Sequence, residues 1–346
     1  MRTDGLSALL QAYRKAPKAF QATSYWGSYE KGILAALGSV DMNWLRSGRY
    51  PVFSSFGFGD VEYFLSPSWP FWLKASLGLF HGQVVKNRAI FSYNVRKTDI
   101  QEMAFRHCEL AGELSRARPI TAIEMSSFGH PQDGFDMYGK KYSINFLNYY
   151  QRYCFVQKNM VFKGDEVIVE LGSGAGTQVE VLKKLYPGLT IICLDLPAQI
   201  YLCEAYLTQV LGRDAVVGTD VTLAWQDLSK LEKGRVYCFG NWQLPMFKDF
   251  KYDLFWNAAS FGEMEPEVVQ NYLRYVQGNA HWIYLLQARH GKETEGRTHV
   301  EKQITFEFYN ELLSGYGLKQ ERDAWQAHKR LSASGGYFEA IWEMAT

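Results

Sequence analysis

The chain has almost no net charge: 37 lysines and arginines stand against 36 aspartates and glutamates, leaving +1 with histidine neutral. That balance gives no electrostatic case for nucleic acid or an anionic membrane as a partner. No uninterrupted apolar run is long enough to span a bilayer. The stretch from Met1 to Phe20 is interrupted by Arg14, Lys15 and Lys18 and has no signal-peptide core. The five cysteines, Cys108, Cys154, Cys193, Cys203 and Cys238, are odd in number and show no C-x-x-C spacing. They argue against a disulfide frame or a zinc motif and read as buried thiols in a reducing, cytoplasmic setting. Internal repeats and low-complexity tracts are absent. The acids Asp220, Asp253, Glu263 and Glu265 form no recognisable set of oxygen ligands, so no metal site is expected.

What is present is an ordinary globular composition with many rings: 346 residues, 47% hydrophobic, 21% charged and 16% aromatic. That length suits one large domain or two smaller ones. The chain changes character near residue 140. From Phe162 onward, strand-like apolar runs alternate with helical patterns, the signature of an α/β domain with a parallel sheet. The strands read at 167–171, 190–194, 236–239, 252–256, 282–286, 318–322 and 337–343, the last of them antiparallel. Helices read at 177–186, 197–211, 266–277 and 305–313, with Pro197 and Pro266 each suited to a first helical turn. The long stretch between Asp195 and Val236 exceeds one helix and predicts an insertion near 219–231. Upstream, 98–114 and 143–159 read as helices, 66–80 as buried helix and turn, and 129–141 as an exposed loop.

The most informative segment is Val167-Ile168-Val169-Glu170-Leu171-Gly172-Ser173-Gly174-Ala175-Gly176. Three β-prone residues lead into an acid, then glycines fall at every second position. A second apolar run, Thr190 to Leu194, ends in Asp195. Strand, glycine turn, helix and strand with a terminal carboxylate describe a βαβ nucleotide site. Glycines without Cβ let backbone N–H groups approach a ligand, and the helix N-terminus faces its anionic group. The dinucleotide fingerprint needs a third glycine where Thr177 stands.

The E-x-G-x-G-x-G form resembles motif I of the class I S-adenosylmethionine (SAM) methyltransferases. Three further segments extend the likeness: Leu194-Asp195-Leu196-Pro197 with the aromatic helix after it, Ser260-Phe261-Gly262-Glu263-Met264 after the fourth strand, and Asn148-Tyr149-Tyr150-Gln151-Arg152-Tyr153. Together they look like the bacterial family of sugar O-methyltransferases, over residues 140–290 and only loosely before them. The resemblance implies a seven-stranded, mostly parallel Rossmann-like sheet with helices on both faces at 141–346, and a mainly helical cap at 1–140. It implies SAM as methyl donor, with Glu170, Gly172, Ser173, Gly174 and Gly176 at its methionine end, Asp195 on the ribose and Leu196 beside the adenine. Asn241 and Trp242 fall where the superfamily contacts the adenine, and Asn257 beneath the sulfonium. Arg152 or Tyr153 is a candidate for the cofactor carboxylate, with packing as the alternative.

A sugar hydroxyl is a poor nucleophile, so a general base belongs in the loops at the strands' C-terminal edge. The candidates are His290 after the fifth strand, Glu263 after the fourth, and His130 in the 129–141 loop. Against these roles stand a solvated loop histidine for His290 and a helix-capping carboxylate for Glu263. The aromatic stretches 53–64 and 69–72 are core, or a stacking surface for the acceptor. The implied partner is a small-molecule hydroxyl acceptor, a sugar or glycoside, with a homo-oligomer left open. A phenol or polyketide acceptor, an NAD-linked oxidoreductase and a non-catalytic SAM-fold subunit are the competing readings.

Overall fold

A computed structural model describes residues 3–47, 49–50, 52–53, 97–292, 294, 299–325 and 336–345. The stretch 66–80, and all of 53–64 and 69–72 except the buried Phe53, lie outside them. In chain order the elements are α1 (Thr3–Arg14), α2 (Ser24–Leu37), α3 (Lys97–Ser115), β1 (Phe135–Met137), β2 (Lys140–Tyr142) and α4 (Ile144–Asn159). There follow β3 (Val167–Leu171), α5 (Thr177–Leu185), β4 (Thr190–Asp195), α6 (Pro197–Leu211), β5 (Val216–Val217), α7 (Thr219–Thr222) and β6 (Val236–Gly240). The chain ends with β7 (Tyr252–Ala258), α8 (Pro266–Val276), β8 (Ala280–Ala288), α9 (Phe306–Leu312), β9 (Tyr316–Asp323) and β10 (Tyr337–Met344).

The chain falls into two compact units. One comprises Met1–Asp41, Asn159–Arg322 and Gly336–Thr346, the other Met42–Lys158 and Asp323–Gly335. The first unit holds an eight-stranded sheet in the order β5-β6-β4-β3-β7-β8-β10-β9. Strands β3 to β8 pair in parallel and β10 pairs antiparallel with β8. All seven strands read from the sequence are present. The eighth, β5, is two residues long and pairs with the edge of β6 through Val216 and Val217, too short to leave an apolar period in the sequence. The predicted insertion holds the single turn of α7, whose Thr222 hydroxyl donates to the Cys238 carbonyl at 2.5 Å.

The sheet's interior is apolar because its strands are apolar on both faces, as parallel strands under helices require. Val169, Ile192, Phe239, Phe255 and Ile283 are each fully buried in one cluster, each worth about 1.5–3 kcal/mol of burial. At the strands' starting edge, Lys183 spends its ammonium on three carbonyls, Pro187, Leu189 and Gly234, at 2.5–2.8 Å. Asp253 accepts from Val167 N–H at 2.7 Å and ties the start of β7 to β3. All five cysteines are buried and none forms a disulfide.

In the second unit the expected loop at 129–141 is partly a hairpin: β1 and β2 pair antiparallel across Tyr138 and Gly139, both with positive φ. A two-residue turn of that kind matches the twist of the strands, and three-residue strands are too short to show in the sequence as anything but loop. His130 stacks on Trp44 at 4.2 Å and its Nδ1 lies 2.6 Å from the Asn43 carbonyl. Tyr150 donates to the Arg118 carbonyl at 2.8 Å, Tyr153 accepts from Arg118 N–H at 3.0 Å, and Arg152 lies over the Tyr149 ring.

Candidate active site

The chain runs from β3 outward through β4 to β6, then returns to the other side of β3 with β7. The C-terminal ends of β3 and β7 therefore flank the point where the strand order reverses, the place where open α/β sheets leave a binding crevice. The glycine loop emerges there. Gly172, Gly174 and Gly176 all have left-handed backbones, with φ of 79°, 53° and 78°, a conformation that costs other residues roughly 1–2 kcal/mol each. A Cβ on Gly172 would lie 2.5 Å from Ser260 Oγ, and one on Gly176 would meet Leu207 and Cys203 at 2.9 and 3.1 Å. Ser173 turns its hydroxyl back to the Glu170 carbonyl at 3.2 Å, and Glu170 is buried at the end of β3. Thr177, also buried, opens α5 where a dinucleotide fold has its third glycine.

Asp195 ends β4 and reaches into this loop. Its Oδ2 accepts from Gly174 N–H and its Oδ1 from Leu196 N–H, each at 2.8 Å. Burial pushes its carboxyl up to about 7, although both backbone donors pull the other way; the charge of Glu263 adds to the rise. Leu196, nearly buried, caps α6 ahead of Pro197.

Beyond β6, Asn241 is 3% exposed and donates from Nδ2 to the Phe20 carbonyl at 2.7 Å and the Tyr272 hydroxyl at 2.6 Å. The Phe20 carbonyl can only accept, so the amide's orientation is fixed. Asn241 Oδ1 is buried and has no hydrogen-bond partner among the described residues. Trp242 is half-buried against Tyr13 of α1 at 5.3 Å. Its indole folds back over Gly240, where a Cβ would come within 2.3 Å of the ring.

Asn257 is fully buried and does not open onto a surface. Its amide donates to the Leu171 carbonyl at 2.9 Å and to Ser260 Oγ at 2.6 Å, and accepts from Gln287 Nε2 at 2.6 Å. Gln287 Oε1 in turn accepts from Gly262 N–H at 2.9 Å. This amide network joins the ends of β3, β7 and β8 and fixes the turn that carries Glu263. Next to it, Ala259 is held at φ 63°, one of the few non-glycine residues in that region and a mark of local strain.

Glu263 does not cap α8; Glu265 holds that position and accepts from the N–H groups of Glu301 and Lys302. Instead Glu263 faces Lys292 Nζ at 3.2 Å and accepts from the side chains of Tyr25 and Trp26. Burial raises its carboxyl, against the pull of Lys292 and the two donors. His290 sits exposed in the turn after β8, with Glu307 as a charged neighbour. The site thus gathers the glycine loop, Asp195, Leu196, Asn241, Trp242 and Glu263 on the first unit's sheet edge. Asn257 lies beneath as support, and His130 is built into the other unit. Sequence reasoning missed Tyr13, Tyr25, Trp26 and Tyr272, whose only signal was aromatic richness without spacing, and Lys292, which carried no signal.

No family model matches the chain, and no curated protein matches it. Solved structures do. Magnesium protoporphyrin IX methyltransferase from Synechocystis PCC 6803, with bound S-adenosylhomocysteine (SAH), is similar over 58% of this chain and 82% of its own, at 11% identity and a TM-score of 0.39. Geranyl diphosphate C-methyltransferase from Streptomyces coelicolor A3(2), in complex with Mg²⁺, geranyl diphosphate and SAH, is similar over 57% and 80%, at 13% identity and a TM-score of 0.38.

Proposed function

We propose that the chain is a SAM-dependent methyltransferase that moves a methyl group to a hydroxyl of a sugar or glycosylated metabolite. The observation that carries this reading is the loop of three left-handed glycines at the strand-order reversal, bonded through Gly174 N–H to the carboxylate that ends the next strand. The residues present fit the cofactor. Glu170, the loop and the N-terminus of α5 would hold its methionine end, since backbone N–H groups there favour an anionic carboxylate. Asp195 would accept from the ribose hydroxyls. Leu196 and Trp242 would flank the adenine, and Asn241 Oδ1, a buried acceptor without a protein donor, suits an exocyclic amine. NAD fits less well, because Thr177 stands where close pyrophosphate and helix packing call for glycine.

When bound, SAM supplies a methyl group activated by a positively charged sulfur. The chain's own work is to align an acceptor, exclude water and remove a proton. Of the three acid–base candidates, Glu263 combines burial, a fixed orientation and an electrostatic link to Asp195. That supports an ionisable acceptor such as a hydroxyl, and it weighs against a non-catalytic subunit. The sugar rests on the likeness of the DLP and SFGEM segments. The aromatic trio Tyr25, Trp26 and Tyr29, with ring centroids 5.5–6.0 Å apart, favours a phenol as the second reading.

Calorimetric titration with SAM, SAH and NAD, followed by transfer of labelled methyl from SAM to monosaccharides, glycosides and phenols, tests the proposal. Binding of SAM and SAH without NAD, and label on a sugar hydroxyl, is the expected outcome. A chain that ignores SAM refutes the donor, and label on phenols alone refutes the sugar.

A further inference from the structure

Donor recognition leaves unexplained an ion-paired cluster around Glu263. Four stretches distant in sequence meet there: Tyr25 and Trp26 from α2, Glu263 after β7, Lys292 after β8, and Tyr337 of β10. Lys292 Nζ lies 3.2 Å from Glu263 Oε1 and donates to Tyr337 Oη at 2.8 Å. It also lies 5.4 and 6.0 Å from the Tyr337 and Tyr25 ring centroids. The Glu263 side chain is only 12% exposed. A carboxylate offers about four lone-pair sites; Lys292 faces one of its oxygens, and capacity remains for further donors. Burial opposes charge on both partners, yet Glu263, Tyr337 and Tyr25 together hold Lys292 above its ordinary range. Asp195, on the donor side, feels the charge of Glu263 as well.

A carboxyl raised by burial, fixed by an ammonium 3.2 Å away and set in the turn after β7 at the sheet's C-terminal edge is suited to take up an acceptor proton. A latch that merely fastened α2 would need no half-buried ammonium beside two phenols. We propose that Glu263 takes the proton of the acceptor hydroxyl and that Tyr25 and Lys292 are its positioning residues, so that helix α2 completes the reaction centre. The proposal rests on the methyltransferase reading. The O–H proton passes to Glu263 as the acceptor oxygen bonds to the methyl carbon, and the donor sulfur keeps the electron pair of the broken C–S bond.

The test uses the full chain with SAM and SAH as probes and needs no acceptor. Carboxyl-¹³C glutamate labelling gives the titration of Glu263, assigned by the resonance lost in Glu263→Gln. The midpoint is expected to lie about one pH unit lower with SAM than with SAH, because the sulfonium brings a positive charge that the thioether lacks. Lys292→Met should raise the midpoint by about one unit or more, and Tyr25→Phe by less, for loss of a charge and of a donor respectively. Lys292→Arg should restore it. A purely structural ion pair away from the reacting atoms would still show the Lys292→Met shift but would give the same midpoint with SAM and with SAH. Equal midpoints with SAM and SAH, or an unmoved midpoint in folded Lys292→Met, would overturn the proposal alone. A chain that binds neither probe overturns the methyltransferase reading and this proposal with it.

Discussion

If Asp195 holds the ribose as proposed, it ties cofactor affinity to pH. Its carboxyl is pushed up to about 7, with burial as the main cause, so near neutrality about half of the molecules carry it protonated. Two ribose hydroxyls need an acceptor, and the ionised form is the stronger one. If that form alone binds SAM, affinity falls about tenfold for each unit below pH 7 and levels off above pH 8. Folding responds with the opposite sign. A carboxyl raised above its unfolded value of 3.8 favours the native state fully below about pH 4, and that contribution is lost as pH rises through 7. Bound SAM should therefore stabilise the protein more at pH 8 than at pH 6. Asp195→Asn keeps the size but leaves either Gly174 N–H or Leu196 N–H facing an amide NH2 and removes the charge from the remaining bonds, a loss of about 2 kcal/mol or more, roughly thirtyfold in Kd, and it should abolish the pH dependence. Calorimetric titrations with SAM from pH 6 to 8.5 on both proteins measure this. A flat profile in the wild type, or the same slope in Asp195→Asn, would refute the reasoning.

Gly172→Ala forces a Cβ into a left-handed position 2.5 Å from Ser260 Oγ; a stability loss of about 1–3 kcal/mol, read by denaturant unfolding, should accompany loss of SAM binding. Asn257→Ala removes the buried amide that serves Leu171, Ser260 and Gln287. It should cost about 2–4 kcal/mol in the same assay, far more than a residue that only touches cofactor. His290→Ala, at an exposed turn position, should change stability by less than about 0.5 kcal/mol and leave the calorimetric SAM affinity intact.

The strand positions were legible because apolar runs and glycine punctuation are local signals. Gly172, Gly174, Gly176 and Asp195 could be named together since one βαβ unit contains them all. Asn257 was legible as a strand end but not as a buried hub, because its partners Leu171 and Gln287 arrive from neighbouring strands. Glu263 read as a helix cap or a base with equal ease; Lys292 and Tyr25 decide its surroundings, and no spacing rule links residues 25, 263 and 292. The resemblance implies only a mainly helical cap over 1–140, and does not single out α1 and α2 or the surface they cover. Phe20, Tyr13 and Tyr25 bring them to the sheet edge through contacts that only the folded chain creates.

Direct titration of the purified chain with SAM and with NAD tests the central claim. One SAM site per chain, weakened at least about tenfold by Asp195→Ala and with no heat from NAD, is the predicted result. No SAM binding, or SAM affinity indifferent to Asp195→Ala, would contradict it.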